Sequence, residues 1–341
     1  MASIECLVLA RWRPISSLMN PKLTIVIPHL SRTDFLAEAI KHALDQSVPA
    51  KILVADQGHT PETAELMERY KDHHLVTHCR TDATCLHDNW SAGYRLAMAD
   101  GAQYVAIYQD DDIIHHRYSE RINLAFDVYY DALTWTARLA CAQDPELAIW
   151  FSGVGPLIPM NLMKNQARVL PGHIMLPYGY LTSWALSPAV AFRAGTDLDR
   201  ALDAIPRDCD LYTERTILAE MGTRGPVVVD PAVLGYWVHH AKNESYRQNA
   251  STQPEQAKVF YGWMDRLMDR TDGWEEILLE WAKSMPNMHL YSYIQSLETQ
   301  ESRYAGGIAE ILRAGLKPEV TYEEIRRRRA VDPTITTPMT I

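Results

Sequence analysis

The run Tyr104-Val-Ala-Ile-Tyr-Gln-Asp-Asp-Asp-Ile113 sets an apolar strand against three carboxylates, Asp110, Asp111 and Asp112, with only Gln109 between. Continuous apolar character over 104–108 is what a strand covered on both faces of a sheet requires. Adjacent ionised carboxylates at the end of such a strand repel, and the cluster raises its own pKa values unless a cation neutralises it. Oxygen ligands of this hardness suit Mg²⁺ or Mn²⁺, and Mg²⁺ is commonly shared between one or two carboxylates and substrate phosphates. The competing reading is a solvated acidic turn at a helix start, where aspartate is favoured for structural reasons alone.

Working outward, the pattern alternates. A β-branched strand, Leu23-Thr-Ile-Val-Ile27, ends at Pro28, and a helix with apolar residues at helical spacing runs from Thr33 to Gln46. A second strand, Lys51-Ile-Leu-Val-Ala55, ends at Asp56, and Thr60-Pro61 starts a helix with an N-cap and a proline in its first turn. A short strand over Leu75–His78 and a helix over Asn89–Ala99 precede the acidic strand. Such alternation predicts an α/β fold with a mostly parallel sheet flanked by helices. Pro28 to Arg32, Asp56 to His59 and the aspartate triplet then all fall at carboxyl ends of strands, where open sheets bind ligands.

Beyond the triplet, a helix is expected from Arg117 through Tyr130, with an extension to Leu139 left open. Further strands are expected at Leu147–Phe151, Leu181–Leu186, Val227–Val229 and Val233–Val238, with a helix opening at Asp208 and reaching Met221. The Gly- and Pro-rich residues 153–180 read as a long loop. After Gln253 the pattern is helical.

Composition sets the outer bounds. The 341 residues allow one large domain or two smaller ones, and the net charge of -10 excludes the basic footprint of general nucleic-acid binding. Five cysteines with no CxxC pair point to reduced thiols in a cytoplasmic chain. No apolar run reaches the roughly 18–20 residues of a membrane span. The apolar stretch near Cys6 is too short and too arginine-flanked for a signal peptide, and Met19 looks like a natural start before the first strand.

Taken in order, Thr24-Ile-Val-Ile-Pro28, Val54-Ala-Asp-Gln-Gly58, Asn89-Trp90 with Gly93 downstream, and Tyr108-Gln-Asp-Asp-Asp-Ile113 resemble the nucleotide-sugar-binding half of glycosyltransferase family 2, which has the GT-A fold. The likeness covers roughly residues 22–130. It returns at Arg207-Asp-Cys-Asp-Leu-Tyr-Thr-Glu-Arg215 and Tyr236-Trp-Val-His-His240. It implies four parts: an extension over 1–21, a nucleotide-sugar-binding part over 22–130, an acceptor-binding and catalytic part over 131–250, and a helical region over 251–341.

The resemblance also implies roles. Pro28, His29, Arg32, Asp56, Asn89, Asp110 and Asp111 would bind the nucleotide sugar, with Asp56 accepting from the base, usually uracil. Asp110 and Asp112, or Asp111 in place of either in a shifted register, would hold Mn²⁺ or Mg²⁺, with His239 completing the metal site or touching phosphate. Asp208 would be the general base of an inverting transfer, with Asp210 the alternative. Trp90, Tyr180 and Trp184 would wall the sugar or acceptor pocket. The implied donor is a UDP-sugar, and the acceptor a saccharide or glycolipid. Three departures stand out: Gln57 replaces the family's second aspartate, Gln109 stands where relatives are often acidic or carry His, and Arg207 replaces a glutamate before the base.

Rival readings are a non-catalytic sugar-nucleotide or glycan-binding protein, and a nucleotidyltransferase. The latter normally carries a Gly- and Lys-rich phosphate loop, and residues 28–34 contain neither residue. The histidines at 73, 74, 78, 115 and 116 read as surface or loop residues, Cys209 lacks a companion base, and Trp263, Trp274 and Trp281 read as core. Arg326–Arg329 reads as a solvated helix face, with a peripheral contact at the inner face of the membrane as the alternative. For the helical tail a homodimer contact, an acceptor lid and a membrane-facing surface stay open.

Overall fold

A computed structural model describes residues 20–143, 167–177, 187–239, 253–283 and, with gaps, 290–327. The expected strands at 147–151 and 181–186 lie outside these residues, as do Tyr180, Trp184, residues 1–19, the side chains of His239 and Trp281, and most of the basic run at 326–329.

The first four strands are β1 (Leu23–His29), β2 (Lys51–Asp56), β3 (Val76–Arg80) and β4 (Tyr104–Ile107), linked by helices α1 (Thr33–Leu44), α2 (Pro61–Glu68) and α3 (Leu86–Ala99). They pair in parallel in the order β3-β2-β1-β4. The order reverses between β1 and β4: the chain winds outward to β3 and crosses back to the other side of β1. That reversal opens a crevice at the carboxyl ends of β1 and β4.

The sheet continues through β8 (Val190–Arg193), antiparallel to β4, and β6 (Thr134–Gln143), to β9 (Val227–His239). Two short strands, β5 (Ile113–Ile114) and β7 (Arg168–Leu170), pair antiparallel with β9. The mostly parallel α/β sheet expected from the alternation is therefore present.

Alternating side chains divide the core into two layers. Ile25, Ile27, Ile52 and Val54 face one side with Leu36 and Ile40 of α1 and Ile122 and Phe126 of α4 (Tyr118–Val128). Val26, Leu53, Ala55 and Ile107 face the other with Trp90 and Tyr94 of α3. This second layer also takes in α5 (Thr196–Ala204), α6 (Thr213–Gly222), α7 (Gln253–Asp269), α8 (Trp274–Lys283) and α9 (Ala305–Gly315). Trp263 and Trp274 are buried there, as expected. The C-terminal helices are thus welded to the sheet by a shared apolar cluster, and burial at about 25 cal/mol per Å² is what holds them.

Tertiary pairing overrides several local expectations. α4 stops at Val128, and Thr134 to Leu139 is strand, not helix, because Thr134-Trp-Thr136 pairs with β8 and β9. The two strands expected at 227–229 and 233–238 are one long strand. Pro231 withdraws an N–H from its middle, and the register against β6 shifts over Thr136–Leu139. Part of the expected loop at 153–180 is strand β7, followed by a 3₁₀ turn at Gly172–Ile174.

Candidate active site

The crevice between β1 and β4 gathers the acidic triplet and the loop that leaves β1. The triplet is clamped between β4 and β5, and all three aspartates are buried. Their charges are offset only in part from within the protein. The Arg32 guanidinium forks across Asp110 (Nη2 to Oδ1) and Asp111 (Nη1 to Oδ2), and stacks over the Phe35 ring 5.5 Å away. Burial alone would lower the pKa of Arg32; Asp110 and Asp111 outweigh it and raise it.

His29 braces the same cluster from below. Its Nδ1 donates to Asp110 Oδ2 (2.9 Å), and its Nε2 lies 2.9 Å from the Thr63 hydroxyl in the first turn of α2. With its ring 0% exposed, its contribution is to fix Asp110.

Asp112 differs from its neighbours. Oδ1 accepts from the Val238 N–H (3.2 Å) on β9, but Oδ2 is buried without a hydrogen-bond partner. Burial, then the charge of Asp111, pushes this carboxyl well above the usual range. An orphaned buried oxygen on a carboxylate of elevated pKa is an atom that a cation would satisfy. Among the described residues no three His, Cys, Asp or Glu side chains form a complete metal cage. The donor set therefore fits a hard ion shared with a ligand's phosphates rather than one held by protein alone. His239 follows Val238, which places its backbone beside the triplet.

Several residues expected at the nucleotide are engaged internally. Asp56 is 1% exposed; Oδ1 accepts from Gly58 N (3.1 Å) and His59 N (3.0 Å), and Oδ2 from His78 Nε2 (3.0 Å). That turn holds His59 at a positive φ of 52°. The Asn89 amide donates to Ala55 O (3.0 Å) and its carbonyl accepts from Thr81 Oγ1 (2.8 Å), tying α3 to the end of β2. Pro28 sits in β1 opposite Ala55. Two glycines set the spacing of this layer. A Cβ on Gly58 would lie 1.4 Å from the Leu30 carbonyl oxygen, and one on Gly93 would lie 2.5 Å from Val26 Cγ1. Gly93 therefore lets α3 press onto β1.

The segment expected to carry the base runs over the second layer. Asp208 is exposed. Asp210 accepts from the His87 N–H (3.2 Å), which caps the first turn of α3. Arg207 is exposed too and turns toward Asp88 (3.6 Å). Cys209 is buried, donates to Pro206 O, and has its pKa pushed up to about 12 by burial, so it is no nucleophile. The carboxylate adjoining the triplet is one that sequence reasoning missed: Glu214, in the first turn of α6. Its Oε1 accepts from Gln109 Nε2 (2.8 Å) and its Oε2 from the Ser187 N–H (3.2 Å). The signal was available in the pairing of an unusual Gln109 with a carboxylate close behind the expected base.

Acidic residues and a guanidinium gathered at the switch point of a β3-β2-β1-β4 sheet place a polar site where open α/β sheets bind ligands. A family profile described as Glycosyl transferase family 2 matches residues 24–182. Over that segment the chain is similar to glycosyltransferase family 2, and a glycosyltransferase is what the match supports. Among solved structures, S. aureus TarS 1–349 in complex with UDP-GlcNAc superposes with a TM-score of 0.51 at 13% identity, covering 92% of this chain and 91% of that one. A mannosyltransferase from Pyrobaculum calidifontis, solved with GDP-Man and Mn²⁺, gives a TM-score of 0.48 at 12% identity over 94% of this chain and 82% of its own. At such identity the TarS likeness speaks for the fold, GT-A, and for nothing finer. No curated protein sequence matches the chain.

Proposed function

We propose that the protein moves a sugar from a nucleoside-diphosphate sugar, UDP-linked, to a hydroxyl of a saccharide or glycolipid acceptor, with inversion at the anomeric carbon. The observation that carries the reading is the charge arrangement of the crevice: three buried aspartates, one guanidinium across two of them, and one orphaned oxygen on the third. A diphosphate brings negative charge, and such a site can receive it only with a divalent cation. Asp112 Oδ2 would hold that cation with Asp110, and the ion would supply Lewis-acid neutralisation of the departing diphosphate.

Arg32 would contact the same phosphates, since a guanidinium is the residue of choice for bidentate contact with them. Asp56, oriented by His78, would stand at the base end of the crevice. Trp90, Tyr180 and Trp184 would enclose the sugar. The acceptor's proton would go to a carboxylate of the 208–214 segment, where Asp208 and Asp210 are the residues implied by the family pattern. No helix among the described residues is long and apolar enough to cross a membrane.

The test is calorimetry of the full chain against a panel of UDP- and GDP-sugars with Mn²⁺ or Mg²⁺, followed by assay of nucleotide release with saccharide acceptors. Metal-dependent binding with turnover supports the reading. Binding without turnover leaves a non-catalytic binding protein, and no binding to any donor refutes the proposal.

A further inference from the structure

We propose that Arg32 is a latch on the acidic triplet: its guanidinium and the divalent cation compete for the same carboxylates, and metal entry drives it into the cleft between α1 and α2. The inference rests on the metal-dependent reading above and adds an order of events to it, metal before diphosphate.

The competition follows from how the carboxylate oxygens are used. Arg32 takes Asp110 Oδ1 and Asp111 Oδ2. The other Asp110 oxygen is held by His29 Nδ1 at 2.9 Å, from a ring that is 0% exposed. Asp112 Oδ1 accepts from the Val238 N–H, and Oδ2 is its unpartnered atom. A cation shared between Asp112 and Asp110 therefore meets Asp110 on the oxygen that the guanidinium holds. Two cations on one buried carboxylate oxygen repel strongly, because little water screens them. Asp110, Asp111 and Asp112 all act on the Arg32 charge, so an ion that neutralises the triplet loosens the whole grip.

A way out for the side chain is already in place. Arg32 lines a cleft of about 810 Å³ together with Asp34, Phe35, Glu62 and Glu65. Its backbone oxygen accepts from the Leu36 N–H at 3.0 Å, so the main chain stays fixed at the start of α1 and only the side chain turns. The Phe35 ring under the guanidinium belongs to the same cleft and can follow the charge outward. Asp34 and Glu62 are exposed and have no ion pair among the described residues, and Glu65 has a loose one to Arg69 at 3.8 Å. Exposed pairs of this kind hold weakly. The guanidinium therefore keeps to the buried aspartates until an ion displaces it. Once displaced, it is a mobile cation at the mouth of the crevice, free to meet the diphosphate.

The experiment measures Mn²⁺ binding without donor, by the paramagnetic resonance signal of the free ion, at matched ionic strength and at a temperature where every protein is folded. It compares wild type, Arg32→Met, a cleft variant (Asp34→Asn, Glu62→Gln and Glu65→Gln together) and the combination of the two. Relief of the like-charge repulsion is expected to make R32M bind Mn²⁺ at least about tenfold more tightly than wild type. The cleft variant is expected to bind about two- to threefold more weakly than wild type, and to lose this effect in the R32M background, where no guanidinium needs a landing place. Equal affinity in wild type and R32M overturns the latch and leaves the metal reading standing. Weaker binding by folded R32M overturns it too, since Arg32 then braces the site. Equal weakening by the cleft variant in both backgrounds is a loss of general negative charge and overturns the cleft as the destination. Absence of Mn²⁺ binding in wild type and R32M alike overturns the latch together with the metal reading.

Discussion

Replacing Arg32 by methionine keeps much of the side chain's apolar stem but removes the charge that holds two aspartates together. The Asp110 and Asp111 side chains are 2% and 5% exposed, and that of Arg32 is 22% exposed. Removing one partner of a buried ion pair costs about 3–5 kcal/mol, because the other charge stays uncompensated. Three factors reduce it here: Arg32 is partly solvated, His29 still supports Asp110, and the aspartates can take up protons. A loss of about 2–3 kcal/mol follows, which for a chain of this size lowers Tm by roughly 3–4 °C. The assay is unfolding of both proteins, by heat and by denaturant, with and without Mn²⁺. A cation at the triplet replaces the missing guanidinium, so Mn²⁺ is expected to stabilise the variant more than the wild type. Equal stability without metal, and equal metal shifts, would refute the reasoning and show that the fork across Asp110 and Asp111 carries no net energy.

Gly58→Ala drives a Cβ into the Leu30 carbonyl, 1.4 Å away, so the loop leaving β1 must move; a loss of about 1–3 kcal/mol by denaturant titration is expected, together with weaker donor binding because Arg32 rides on that loop. Asp127→Asn tests a peripheral pair: burial would raise the Asp127 carboxyl, but hydrogen bonds from Lys22 and the Tyr104 hydroxyl outweigh it and the net shift is downward. A depressed carboxylate stabilises above its unfolded pKa, and that gain is lost as pH falls through the folded pKa. The side chain is 43% exposed, so the difference between the two proteins should stay below about 1 kcal/mol at pH 7, and their stabilities should converge under acid.

Most of the first half was legible because its signals are local. β1 to β4 are short apolar runs ended by polar residues, and the three helices between them carry helical spacing or a cap, as with Thr60 accepting from Thr63 N at α2. The second half resisted because its strands depend on partners far away. Thr134 to Leu139 has residues that suit a helix or a strand equally, and only pairing with Val190–Phe192 and with β9 decides between them. The β9 strand reads as two because Pro231 interrupts it, yet pairing on both sides carries the ladder past the proline. Periodicity reports which faces are apolar, not which neighbour covers them.

The site divides along a similar line. Residue type and strand-end position pointed to the crevice, and the triplet and Arg32 do meet there. What sequence does not carry is the competition between a ligand and the protein's own groups for the same side chain. Asp56, Asn89 and His29 have the chemistry of nucleotide contacts, yet each is occupied by a neighbour: His78, Ala55 and Thr81, and Asp110 with Thr63. Such internal partners cost a ligand their displacement, so buried, satisfied groups serve to shape the crevice, and the atoms left for chemistry are the unsatisfied ones. By that criterion Asp112 Oδ2 and the Trp90 indole N–H outrank residues with a closer match to a motif.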